Sequence, residues 1–341
     1  MYNTEESCTQ YNVLKIVRHL FRWQPSAALG DEYEHKVSNG VIGIQNPQAF
    51  GAMTYMTPLG NGVSRPRANW HRENGGWGSR NNSFWCCYGT AIESFSKLGD
   101  SIYFHDDGAS SATGDPHTPQ LWIVQYVSST LNDTRHGLCL TQRVHNVRAS
   151  AGKQNNALQT TITIAPLSSV APITPDLTVS LRIPAWADAA VTTVSINGEP
   201  LVKAGTCQVG KFLHVKRPVW SAGDVLVASF GMRPRFVKLN DMRDPFDHFG
   251  SLHYGPFLLV GLTNGSYAIQ AAAADIDDWL TIDPASNASS AHDLVFTVST
   301  PAAPAAGFKM MPLNRVVDQT YTVHFNVSRD ATTISQYEIL V

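Results

Sequence analysis

Short apolar runs between residues 121 and 230 set the strongest limit on what this chain can fold into. They fall at 121–127, 138–144, 158–164, 177–183, 191–196, 212–215 and 225–230. Several alternate apolar with polar residues, as a half-buried strand requires, because successive side chains point to opposite faces. Ile196-Asn197-Gly198-Glu199 carries a hairpin signal, since Asn and Gly accept the positive φ of a two-residue turn. Short strands at this spacing predict a β-sandwich over residues 116–240.

Residues 1–106 follow a different period. Val13, Leu14, Ile16, Val17, Leu20, Phe21 and Trp23 recur at intervals of three and four, predicting a buried amphipathic helix over 11–23. Tyr33, Val37, Val41 and Ile44 place a second over 31–44, and Ile92, Phe95, Leu98 and Ile102 a third over 90–104, with an extended end. Between the second and third lies a loop, 49–84, that holds Tyr55, Trp70 and Trp77 and adjoins Trp85. A loop of that length in a compact domain is usually functional or disordered, and its aromatic content favours the first. The small-residue stretch 107–116 reads as a linker. Beyond 240, strand candidates at 251–262, 294–298 and 321–327 predict a second, smaller β-rich domain over 241–341. The expected class is α+β and multidomain.

Lys and Arg total 25 against 27 Asp and Glu, for a net charge of −2. With no basic stripe to neutralise a phosphate backbone, nucleic acid is excluded as the expected partner and a neutral carbohydrate substrate fits better. No apolar run approaches the ~18 residues of a membrane helix, the longest clear one being 256–262, so no membrane partner is expected. The opening residues have neither a basic start nor an apolar stretch, so this chain shows no secretory signal. Asn-x-Ser/Thr sequons at Asn81, Asn132, Asn264, Asn287 and Asn326 lend weak support to secretion.

The cysteines are Cys8, Cys86, Cys87, Cys139 and Cys207, an odd number spread over a long chain, which points to metal binding or catalysis rather than a disulfide framework. Glu6-Ser7-Cys8 and Cys86-Cys87 together offer three thiols and a carboxylate, a suitable donor set for tetrahedral Zn²⁺. Residues two apart face the same way only in an extended segment, so Glu6 and Cys8 are expected on a non-helical lead-in to the first helix, with Ser7 or Thr9 as its cap. The spacing is not that of a zinc finger. Spacing alone does not settle the matter and favours zinc less than the alternative, adjacent cysteines as small buried hydrophobes and Glu6 as a helix N-terminal carboxylate.

Longer motifs carry more. Glu6-Ser7-Cys8-Thr9-Gln10-Tyr11-Asn12-Val13-Leu14-Lys15, then Arg18-His19-Leu20-Phe21-Arg22-Trp23, resembles an E-[ST]-C-x-x-Y-N-M-L-K-x-x-R-H-L-F segment. Tyr33-Glu34-His35, with Ser38-Asn39-Gly40-Val41, resembles a Y-E-R-A-L-x-N-G-x stretch. Ser83-Phe84-Trp85-Cys86-Cys87-Tyr88-Gly89-Thr90, running on to Phe104, is similar to the plant-type form of the same family, as are Leu181-Arg182-Ile183-Pro184-Ala185-Trp186 and Tyr254-Gly255-Pro256-Phe257-Leu258-Leu259. The family is glycoside hydrolase family 127, the β-L-arabinofuranosidases.

The resemblance implies the last helices of an (α/α)6 barrel within 1–106, followed by β-sandwich domains. It implies Zn held by Glu6, Cys8, Cys86 and Cys87, with Cys86 also the nucleophile and Tyr55 lining the sugar site. Zinc and a polar pocket would keep Cys86 as a thiolate that attacks the anomeric carbon, and water would then open the glycosyl-cysteine with net retention. The family's acid/base glutamate lies upstream of E-x-C, a position that falls before Met1, so little activity is expected of this chain alone. The implied reaction is release of non-reducing-end β-L-arabinofuranose from plant-type glycans by a secreted or cell-wall protein. Two other readings stand beside it: an inactive truncated product or carbohydrate-binding β-sandwich protein, and a structural zinc protein without a sugar role. Trp70, His71, Trp77 and Trp85 serve either sugar stacking or loop packing.

Overall fold

The computed structural model describes residues 4–66, 76–79, 83–108, 118–148, 156–168, 172–240, 249–271, 273–284, 286, 293–300 and 307–328. The chain forms two compact units, each assembled from separate segments: Met1–Ile16, Glu34–Ser96 and Arg233–Val341 in the first, Val17–Tyr33 and Lys97–Met232 in the second. It is a multidomain protein of many strands and few helices, and none of its described helices is long and apolar enough to cross a membrane.

The second unit is built on two sheets. One has six strands in the order Glu199–Val202, Asp188–Ile196, Asp224–Met232, Asn156–Pro166, Leu138–Arg148, Ser129–Asp133, with neighbours antiparallel. The other runs Lys211–Lys216, Thr178–Ile183, Gln120–Ile123, Tyr103–Asp106, with its middle pair parallel. Leu140, Ile162, Ile164, Leu226 and Phe230 of the first sheet are fully buried, as are Leu121, Ile123, Val179 and Leu181 of the second. Each such side chain contributes roughly 1.5–3 kcal/mol by leaving water. At the predicted hairpin Ile196 pairs with Glu199, and Asn197 (φ 51°) and Gly198 (φ 87°) adopt the left-handed backbone the turn needs. The strand Ser129–Asp133 and most of the short strands beyond 260 have too little apolar alternation to be read from sequence.

Every residue of Thr178–Ile183 is buried, so both of its faces are covered. On the helical side Phe21 packs on Phe104 at 4.4 Å and edge-on to Phe212 at 6.0 Å. Arg182, fully buried, pairs with Asp31, and its Nε donates to the Val124 carbonyl at 2.6 Å. A Cβ at Gly30 would lie 2.5 Å from Cδ of Arg182, which is why that position carries no side chain.

Asp133 and His136, also in this unit, are both buried and 2.6 Å apart. Burial disfavours both charges, but their hydrogen bond and mutual attraction prevail, holding Asp133 below the usual carboxylate range and His136 above the usual imidazole value. The raised His136 stabilises below the unfolded value near 6.5, and this is lost as pH rises through its folded pKa. The depressed Asp133 stabilises above the unfolded value of 3.8, and this is lost as pH falls through its folded pKa. The stability difference between the wild type and His136→Gln is therefore expected to be greatest near about pH 5 and to shrink toward pH ~8, measured by denaturant unfolding across that range.

In the first unit Thr4–Glu6 pairs antiparallel with Met56–Pro58. A mixed sheet follows in the order Ala268–Gln270, His324–Ser328, Phe249–Tyr254, Phe257–Gly261, Lys309–Pro312, Phe296–Val298, Leu280–Ile282, with Pro234–Lys238 also on Phe249–Tyr254. Val260, Leu313, Val316, Tyr321 and Val323 form its core, against Leu59 and Val63. The predicted strands at 251–262 are a hairpin that turns at Gly255.

Three α-helices occur among the described residues: α1 Ser7–Trp23, α2 Ala27–Lys36 and α3 Cys86–Ser96. The second starts earlier than the 31–44 expected and passes into a π turn, Val37–Val41, and a 3-10 turn, Ile42–Ile44. Asn39 accounts for the irregular turn, since its side chain donates to the Pro256 carbonyl and accepts from Leu258 N, both at 2.8 Å. The third starts and ends earlier than 90–104. Its buried face is Cys87, Tyr88, Ala91 and Ser94, with Tyr88 and Ala91 on Ile44 and Met53, whereas Ile92, expected on the apolar stripe, is 63% exposed. The extended end expected there is the strand Tyr103–Asp106.

Candidate metal and nucleophile site

Glu6 is the last residue of Thr4–Glu6, while Cys8 lies in the first turn of α1. The lead-in expected to hold both is thus a strand that turns helical at Ser7. Ser7 does not cap the helix: it is buried, and its hydroxyl donates to the Cys87 carbonyl at 3.0 Å, tying the start of α1 to the start of α3. Cys86 and Cys87 open α3, so all three thiols sit in the first turns of helices, where free backbone N–H groups and the helix dipole favour negative charge.

The thiols of Cys8, Cys86 and Cys87 lie within 4.8 Å of one another, although about eighty positions separate the two motifs. Cys8 Sγ is 3.3 Å from Cys87 Sγ and 3.2 Å from Glu6 Oε2, and Cys87 Sγ is 3.8 Å from the same oxygen. A tetrahedral ion with Zn–S near 2.3 Å sets neighbouring sulfurs about 3.8 Å apart. The donor set therefore has both the chemistry and the spacing for zinc. Burial, then hydrogen bonding and charge from Cys87 and Glu6, pushes the Cys8 thiol well up, and burial pushes Cys87 up too. So many anionic groups cannot ionise together without a cation. Cys86 is exposed, Cys8 half-buried and Cys87 buried, so Cys86 is the sulfur open to a ligand.

Tyr55 is at this cluster. Burial raises its phenol, as do the Cys87 charge and hydrogen bonds with Cys87 and Cys86, and its ring stands edge-on to Tyr88 at 5.9 Å. Trp85 is exposed and 5.8 Å from Tyr88, beside the thiols. Trp77 has a packing role: its Nε1 donates to Asp318 at 3.2 Å and the buried Arg65 guanidinium lies 5.4 Å over its ring. Trp70, His71, Asn81 and Asn287 lie outside the described residues.

Glu5 has a local role that sequence reasoning did not anticipate. It alternates with Glu6 along the strand, so it faces away from the thiols and packs on Gly40, where a Cβ would fall 2.1 Å from its carboxylate. Burial raises its pKa to about 7 against the opposing pull of Lys36 and Arg65. The signal that could have placed it is the same period-two alternation, applied to residues 4–6. With Glu6, His35 and Lys36 it borders a cavity of about 370 Å³.

A family model described as the β-L-arabinofuranosidase GH127 catalytic domain matches residues 1–100, and one described as the GH127 middle domain matches 120–232. No curated protein matches the sequence. Among solved structures, the chain is similar to a GH127 β-L-arabinofuranosidase, Ara127N-Se from Geobacillus stearothermophilus T6 (TM-score 0.62, 16% identity, 95% of this chain and 50% of that one). It is likewise similar to the GH127 β-arabinofuranosidase BT3674 (TM-score 0.63, 17% identity, 95% and 49%) and to a protein described as a glycoside hydrolase (0.63, 13%, 95% and 52%). At these identities the likeness is one of fold, and the chain spans about half the length of each.

Proposed function

The chain belongs to glycoside hydrolase family 127, and from that premise we propose that its cluster is the zinc and nucleophile half of a retaining β-L-arabinofuranosidase site. The observation that carries the reading is the convergence of Glu6, Cys8, Cys86, Cys87 and Tyr55 from distant segments onto one spot. In this reading residues 1–106 carry the last helices of an (α/α)6 barrel, and 116–240 and 241–341 are β-rich domains following it. The substrate class is a plant-type glycan with a terminal β-L-arabinofuranose.

Glu6, Cys8, Cys86 and Cys87 would hold Zn²⁺, whose positive charge would stabilise the sulfurs as thiolates at neutral pH. Cys86, the exposed sulfur, attacks the anomeric carbon as the C–O bond to the leaving group breaks. Water then replaces the sulfur at that carbon, and two inversions give net retention. Cys87 and Cys8 hold position, because Ser7 fixes the Cys87 backbone and the helix starts fix both side chains. Tyr55, bonded to the adjacent cysteines, orients the attacking sulfur and borders the sugar. The proton for the leaving oxygen comes from the glutamate that the family places upstream of Glu6.

The test is metal content. Purified protein is expected to hold one zinc per chain, and Cys8→Ser to hold far less, while Cys139→Ser, in the strand Leu138–Arg148 of the second unit, keeps it. Equal zinc in Cys8→Ser and the wild type would remove Cys8 from the ligand set.

A further inference from the structure

The second unit carries a cavity of about 710 Å³ between the end of α1 and the strands Tyr103–Asp106 and Gln120–Ile123. That volume suits a small ligand. We propose that it binds an acidic sugar chain, a uronate oligosaccharide, at a subsite that does not depend on the cysteine cluster. The floor is aromatic, with Phe21 on Phe104 at 4.4 Å, and half-buried Trp122 and Trp23, 78% exposed, line the same space. Flat indole faces with wet edges suit the apolar faces of sugar rings.

The charges select the ligand. Arg18 is satisfied by Asp100 at 2.8 Å. Arg22 and Arg135 also line the cavity, are exposed, and have no ion pair or side-chain hydrogen bond among the described residues. A guanidinium presents two parallel donors that match a carboxylate, and its charge is permanent. Two such forks on one aromatic-floored cavity fit a chain that repeats a carboxylate. His105, at the same cavity, is held below the usual imidazole value by burial and by the neighbouring Arg135, so as a neutral ring it both donates to and accepts from sugar hydroxyls.

The test is calorimetric titration of the 341-residue chain with trigalacturonate and, separately, with the neutral arabinotriose. Trigalacturonate is expected to bind, to weaken as salt is raised, and to weaken at least ~10-fold in Arg22→Ala and in Arg135→Ala. Both changes should leave the thermal midpoint in place, since neither side chain holds an ion pair or side-chain hydrogen bond among the described residues, and Cys86→Ser should bind as the wild type does. Absence of binding, equal binding of the neutral trisaccharide, or full affinity in the Arg22→Ala/Arg135→Ala double variant would overturn the proposal. Loss of binding in Cys86→Ser would overturn it too, by placing the ligand at the cluster, and leaves the Cys86 reading standing. Zinc loss in Cys8→Ser with trigalacturonate binding intact would separate the two sites from the other direction.

Discussion

Cys86→Ser is expected to lower turnover of an aryl β-L-arabinofuranoside by roughly 10³-fold or more in protein that carries both halves of the catalytic site. A serine hydroxyl is close in shape to a thiol, but it is a far weaker nucleophile near neutral pH and a poor partner for a soft metal site. The helix starts and the Ser7 to Cys87 bond persist in the variant, so the loss falls on chemistry and not on folding. Tyr55→Phe removes a hydroxyl bonded to the cysteines but leaves its ring on Tyr88, and should cost nearer 10-fold. Wild-type rates in Cys86→Ser would end the nucleophile assignment.

The site was more legible in the sequence than the packing around it. Motifs of about eight to ten residues singled out Glu6, Cys8, Cys86 and Cys87, the family resemblance added Tyr55, and the structure brings them together. What they could not give is which local backbone holds each one. Cys8 is helical because the strand Thr4–Glu6 ends where Ser7 bonds Cys87, a contact between residues 80 apart in sequence. The strand pattern over 121–230 was readable because side chains alternate, and the Asn197-Gly198 turn because only a few residues accept its φ. Ile92 misled because period three to four marks a stripe without saying what covers it, and the face that meets Ile44 and Met53 belongs to Tyr88 and Ala91. The two compact units interleave segments far apart in sequence, which no local period records.

Asp31→Ala is expected to be the most destabilising of the substitutions considered, by about 3 kcal/mol. Arg182 is fully buried on Thr178–Ile183, a strand with both faces covered, so its charge has no route to water. Asp31 neutralises it, and is itself only 19% exposed, which keeps solvent from screening the pair. The same carboxylate accepts from Ala185 N at 3.3 Å, so it also joins α2 to the segment after the strand. Removing it takes away the carboxylate that Arg182 Nη1 donates to, and neither the Val124 carbonyl at 2.6 Å nor the Tyr126 ring at 5.6 Å carries a full negative charge to take its place. Arg182→Met, by contrast, removes the buried charge along with its partner's role and fills similar space, so its cost should be smaller than that of Asp31→Ala. Denaturant unfolding of both variants checks this ordering. A smaller loss in Asp31→Ala than in Arg182→Met would mean that the guanidinium contributes through its stem and backbone bond, and the ion pair little.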